Sequence, residues 1–153
     1  MPASDNYPKL KLPDQSGAAK AFADLTGAKG LVVFVYAKDN TSGCTTEASE
    51  FQALAAEFAK LGFGLAGVSK DSVKSHQGFA QKQGLGYPLL SDPELTLIKA
   101  LGAWGTKKLY GKEVEGTIRT TAVFDAKGKR LATYPKVKAQ GHAARVLADL
   151  SGS

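Results

Sequence analysis

The sequence predicts an α/β sandwich built on a mixed sheet, and three observations carry that prediction. From Leu31 to Leu101, strand-like apolar runs alternate with segments whose apolar residues recur at helical spacing. The run Leu31-Val32-Val33-Phe34-Val35-Tyr36 is apolar throughout and rich in β-branched and aromatic residues, which suits a central strand covered on both faces. The last third changes rhythm to a hairpin-like pair of strands and a closing helix.

In chain order, Leu10 and Leu12 alternate with lysines between Tyr7 and Leu12, a short strand pattern. Pro13 to Gly17 reads as a turn and Ala18 to Ala23 as a returning strand, which together predict an N-terminal β-hairpin. Phe51, Leu54, Ala55, Phe58 and Leu61 place one helix over Thr45 to Leu61, stopped by Gly62. Counting back along the same stripe puts Ala48 and Cys44 on the core side. Phe63 to Ser69 is a second buried strand. Asp71 and Ser72 can cap a helix that runs to Gln83 before Gly84. Tyr87 to Leu90 is a short strand, and Ser91 to Glu94 has the composition of a helix start, with Pro93 near the first helical position. Gly102 to Gly116 reads as a long loop rich in Gly and Lys around Trp104 and Tyr110, for which core packing outweighs a binding surface. Thr117 to Phe124 reads as a strand carrying Arg119. Asp125 to Gly128 turns the chain into Arg130 to Tyr134, and Gly141 to Leu150 closes it.

At 153 residues the chain is expected to form one domain, 1–153, around one core. Its 43% hydrophobic content is in the globular range. The net charge of +6 is spread out, with local clusters at Lys107-Lys108 and Lys127 to Arg130. A nucleic-acid reader more often concentrates its charge in a stripe with interleaved aromatics, so nucleic acid is not an expected partner. One cysteine cannot form an internal disulfide, which suits a reducing compartment. The N-terminus has no apolar signal-like region, and no apolar run approaches a membrane span. A cytoplasmic protein is therefore the expectation.

The chemistry centres on Tyr36 to Cys44, YAKDNTSGC. The cysteine sits where a buried strand hands over to the first turn of a helix. The first N–H groups of a helix lack intrahelical partners and the helix dipole is positive there, so both favour an anion such as a thiolate. A lone cysteine is more often a small buried hydrophobe than a nucleophile. Three features weigh against that plain role: the helix N-terminus, Thr41 three residues earlier in a loop of small polar residues, and Arg119, a permanent cation in an apolar strand that needs a partner. That partner could be the thiolate or, structurally, Glu47 or Asp39. His76 and His142 lack metal-ligand spacing and read as surface or capping residues. Asp92, Glu94 and Asp125 are explained by turns and caps.

The stretch FVYAKDNTSGCTTEASEF resembles the active-site segment of peroxiredoxins, and most closely their Q branch, the bacterioferritin comigratory proteins. GTIRTTAVFD resembles the family strand bearing the active-site arginine. GVSKDSVKSH, YPLLSDPE, GAWGTKKLYGK and YPKVKAQGHAARVL extend the similarity nearly end to end. The resemblance implies a thioredoxin-like α/β fold with an N-terminal β-hairpin extension and a mixed central sheet flanked by helices. It also implies a thiol peroxidase acting on hydrogen peroxide and small organic hydroperoxides, with no metal or organic cofactor. In that reading Cys44 is the peroxidatic cysteine, Thr41 hydrogen-bonds the peroxide, Arg119 supports the thiolate, and Glu47 pairs with an arginine or orients the helix.

Two positions depart from the family pattern. Ala37 stands where the motif has proline, and Ser49 stands where many Q-branch members place a resolving cysteine. The segment GFAQKQG, where others place it, also lacks one. The chain is thus expected to work as a 1-Cys monomer, recycled by thioredoxin, glutaredoxin or a low-molecular-weight thiol. A degenerate relative, or a Cys-to-Ser variant of a two-cysteine enzyme, fits the same two positions. A redox-inactive thioredoxin-fold binding or holdase-like module is the alternative, motivated by Ala37 and Ser49 and opposed by the joint retention of Thr41, Cys44 and Arg119.

Overall fold

The computed structural model describes residues 6, 7, 9–109 and 111–151. The first five residues, Pro8 and Tyr110, on which part of the sequence reading fell, lie outside the described residues. The central sheet has five strands. The apolar run forms β3 (Gly30–Val35), buried at every position. It pairs in parallel with β4 (Phe63–Ser69), which pairs in parallel with β5 (Leu89–Ser91). On its other side β3 runs antiparallel to β8 (Thr120–Asp125), and β8 pairs with β9 (Arg130–Tyr134). The sheet is therefore mixed, in the order β5-β4-β3-β8-β9.

Strand alternation divides the core in two. Val32, Phe34 and Tyr36 point to one face and pack with Cys44, Ala48, Phe51, Phe58, Phe79 and Val146. These residues come from α2 (Ser42–Ala53), α3 (Ala55–Lys60), α4 (Val73–Gln83) and α6 (His142–Ser151), with Cys44, Ala48 and Phe51 all from α2. Leu31, Val33 and Val35 point to the other face, against Phe22 of α1 (Phe22–Leu25) and Leu97 and Ile98 of α5 (Thr96–Ala100). Phe34 stacks on Phe51 at 4.5 Å between ring centres, which ties the strand before the cysteine to the helix after it.

Several elements differ from the sequence reading. The N-terminal hairpin exists but is shorter and shifted, pairing β1 (Leu12–Pro13) with β2 (Ala19–Lys20). The single helix expected over Thr45 to Leu61 begins earlier, at Ser42, and is broken at Leu54, whose N–H is shared between the carbonyls of Glu50 and Phe51 at 3.2 Å each. The apolar stripe continues through that tightened turn, so periodicity does not reveal it. The helix after Asp92 starts later, at Thr96, because Leu95 takes a left-handed φ of 65° and the Asp92 carboxylate accepts the Ile98 N–H at 2.8 Å. The expected loop from Gly102 to Gly116 is instead a hairpin, β6 (Trp104–Leu109) with β7 (Lys112–Thr117), paired across six positions. It is separate from the central sheet, and its sequence carries no apolar alternation to announce strands. Arg119 does not lie within a strand: β7 ends at Thr117 and β8 begins at Thr120, leaving it at the corner.

Candidate active site

The site is assembled where β3 ends and α2 begins. Tyr36 remains tied to the sheet through its N–H to the Val68 carbonyl, at 3.0 Å. The chain then turns through Asn40, which adopts a left-handed φ of 66°, a conformation asparagine tolerates better than most residues. Thr41 is the residue preceding the helix, with extended backbone angles. Its hydroxyl donates to the Lys38 carbonyl at 2.9 Å, and its own carbonyl accepts the Thr45 N–H at 2.9 Å. Cys44 is the third helical residue, so the early N–H groups of α2, which helix geometry leaves without intrahelical partners, surround it. The cysteine is fully buried and continuous with the core stripe of Ala48 and Phe51.

Arg119 reaches this helix end from the β7–β8 corner. Its Nη1 donates to Glu47 Oε1 at 2.8 Å. Its Nη2 lies against Gly43, where even an added Cβ would sit 3.2 Å away. Burial alone would weaken the Arg119 charge, but the Glu47 carboxylate and then the Cys44 sulfur outweigh it and hold the guanidinium above its ordinary value. Glu47 has the opposite balance. Burial pushes its carboxyl up to about 7, against the pull of Arg119, and the nearby Glu50 adds to the rise. Among the described residues its second oxygen is buried without a hydrogen-bond partner. Tyr87 closes the far side of Glu47: its hydroxyl donates to the Ala48 carbonyl at 2.6 Å, and burial, then the Glu47 charge, raise its pKa.

Cys44, Glu47 and Arg119 thus form one cluster, with Thr41 at its exposed lip. A cavity of about 540 Å³, lined by Ala37, Thr106, Thr117, Ile118, Arg119, Lys136 and Val137, opens beside the guanidinium. Val137 anchors the covering loop by donating its N–H to the Arg119 carbonyl at 2.9 Å.

Sequence reasoning missed Gly43, because a helical glycine looks like a weak helix position until Arg119 is seen lying on it. It also misplaced both histidines. His76 is wholly buried and its Nδ1 lies 2.7 Å from the Asp39 carboxylate. His142 is 6% exposed and shares a 2.8 Å hydrogen bond with Thr121, and burial, then Arg145 and Arg119, lower its pKa to about 4. Neither is a surface residue, although His142 does begin a helix. Asp39, Asp71 and His76 have the composition of a metal ligand set within 4.8 Å. Their donor atoms are instead committed to one another and to hydroxyl and backbone groups, which suits protons and not a metal.

The family model described as the AhpC/TSA family matches residues 3–129. A putative peroxiredoxin of Mycobacterium tuberculosis is 40% identical over 147 residues, covering 96% of this chain and 93% of its own length. The chain belongs to the AhpC/TSA peroxiredoxins. Within them it falls in the Bcp, or Q, branch. Peroxiredoxin Bcp of Xanthomonas campestris is 47% identical over 120 residues, covering 78% of this chain and 75% of its own. A solved structure of the X. campestris bacterioferritin comigratory protein, a protein studied for alkyl peroxide reduction, superposes with a TM-score of 0.89 at 39% identity, over 99% of this chain and 98% of the other. This peroxiredoxin therefore has the thioredoxin-like fold that the resemblance implied, and it is a thiol-dependent peroxidase. Among the described residues no helix is long and apolar enough to cross a membrane.

Proposed function

We propose that Cys44 is the peroxidatic nucleophile and that Thr41, Arg119 and Glu47 organise its reaction with hydrogen peroxide and small organic hydroperoxides. The Cys44 thiolate attacks the terminal peroxide oxygen, the O–O bond breaks, and the sulfur is left as a sulfenic acid. The departing hydroxide or alkoxide takes up a proton to leave as water or alcohol. The Thr41 hydroxyl spends its hydrogen on Lys38, so its lone pairs remain to accept the hydroperoxide O–H. Arg119 and the unpaired N–H groups of α2 stabilise the negative charge that spreads from sulfur to oxygen. Glu47 holds Arg119 in place from the buried side.

The observation that carries this reading is the placement of the Arg119 guanidinium, held by Glu47 at 2.8 Å and lying against Gly43, at the helix N-terminus that contains Cys44. With a single cysteine in the sequence, the sulfenic acid is recycled by an external thiol, whether thioredoxin, glutaredoxin or a low-molecular-weight thiol. The first thiol condenses with the sulfenic acid to a mixed disulfide and water; a second releases Cys44. The protein acts as a 1-Cys monomer with one domain over 1–153 and works in the cytoplasm. Cys44→Ser should abolish thiol-dependent peroxide consumption, and Thr41→Val should lower it with the fold retained. Full activity in Cys44→Ser would overturn the assignment.

A further inference from the structure

We propose that His76 is a positioning residue of the peroxidatic site, which through Asp39 fixes the loop that sets Thr41 and the first turn of α2. The inference rests on the roles given above to Cys44 and Thr41. His76 belongs to α4, which carries none of the reacting groups. Its Nε2 lies 3.0 Å from the Leu90 carbonyl, which can only accept, so Nε2 bears a hydrogen. Its Nδ1 lies 2.7 Å from Asp39 Oδ2. Burial would raise the Asp39 carboxyl, but hydrogen bonds from His76, Tyr36 and Ser75 outweigh it and keep it ionised. The ring thus bridges the Leu90 carbonyl and the Asp39 carboxyl group, one nitrogen to each.

The result is a buried, hydrogen-bonded His–Asp pair, with side chains 0% and 1% exposed. Such a pair is costly to assemble and costlier to break from one side, so it favours a single geometry. Asp39 is fixed at every polar atom that could let it rotate. Tyr36 donates to Oδ1 at 2.5 Å and Ser75 to Oδ2 at 2.8 Å. Its backbone N–H donates to Asp71 Oδ2 at 2.8 Å, and Asp71 is in turn held by the Ser69 hydroxyl at 2.6 Å. Only Asn40, in its left-handed conformation, separates Asp39 from Thr41. A non-glycine residue persists there when its surroundings over-determine it. The Thr41 hydroxyl closes the same loop on the Lys38 carbonyl, one residue before Asp39. Releasing Asp39 therefore frees the loop on both sides of the hydroxyl that meets the peroxide.

The test compares His76→Phe, Asp39→Ala and Asp39→Asn with the unsubstituted protein. Two rates are followed at Cys44: oxidation by hydrogen peroxide, trapped with dimedone, and alkylation by iodoacetamide, which needs no peroxide-orienting group. His76→Phe and Asp39→Ala should oxidise about 100-fold more slowly, the penalty expected of a small misplacement, while alkylation changes much less. Asp39→Asn should recover most of the loss. Its Oδ1 can accept from Tyr36 while its Nδ2 donates to Ser75 and to the His76 ring. Unchanged oxidation in the variants, equal losses in oxidation and alkylation, or an Asp39→Asn as slow as Asp39→Ala would each overturn the inference. Should His76→Phe fail to fold, the two Asp39 variants decide it. An unsubstituted protein inert to peroxide would overturn the active-site reading and this inference with it. A reactive one with unaffected variants overturns this inference alone.

Discussion

Arg119 meets Glu47 through Nη1 and Gly43 through Nη2, and lies in the field of the Cys44 sulfur. Arg119→Lys keeps the charge but loses the planar fork that can serve two partners at once. Peroxide oxidation of Cys44 should fall by about 100- to 1,000-fold, the range for losing an oriented donor; an unchanged rate would make Arg119 structural. Glu47 gives a pH prediction. Its folded carboxyl stands at about 7 against an ordinary 4.5, so the folded chain binds this proton more tightly than the unfolded chain. Its contribution to stability is therefore full below about 4.5 and is lost as pH rises through about 7. Thermal melts of Glu47→Gln should decline less across that window than those of the parent protein. An identical decline would mean that Glu47 is not the group responsible.

Among the elements, α2 has two jobs: its first turn presents Cys44 and its next turns bury Glu47, Ala48 and Phe51. Ser49 lies in the same unbroken helix, so Ser49→Cys would sit about 7.5 Å along the axis from Cys44 and face another way. A disulfide normally needs Cα atoms within about 7 Å. An internal disulfide in that variant after peroxide treatment therefore requires the first turns to unwind, which hydrogen exchange would report as faster exchange from Thr45 to Glu50. We expect both; a variant that yields only sulfenic and over-oxidised Cys44 would mean that α2 does not open. The elements that place the site were legible in the sequence: β3 from its unbroken apolar run, β4 over Phe63 to Ser69, and the helix stripe through Cys44, Ala48 and Phe51. The β6–β7 hairpin was not, because its lysines and glycines show no apolar period. The partner of Arg119 was open among the Cys44 thiolate, Glu47 and Asp39, since pairing across 72 positions leaves no local pattern. Asp39 goes to His76 instead, and a histidine whose neighbours in sequence are polar gives no sign of complete burial.

Taken whole, the molecule packs its one thiol in the core next to a cation and offers no second thiol to resolve its oxidation. If the chain works as the 1-Cys monomer proposed above, oxidation should leave its sedimentation unchanged, with turnover proportional to added external thiol; stable disulfide-linked dimers would contradict that. The central claim is that Cys44 is a peroxide-reactive nucleophile, not a buried apolar filler. Intact mass after one equivalent of hydrogen peroxide, with dimedone present throughout, tests it most directly. A single rapid dimedone adduct that maps to Cys44, and forms more slowly in Arg119→Lys, is the expected result. An unmodified thiol after such exposure, in protein that remains folded, would contradict it.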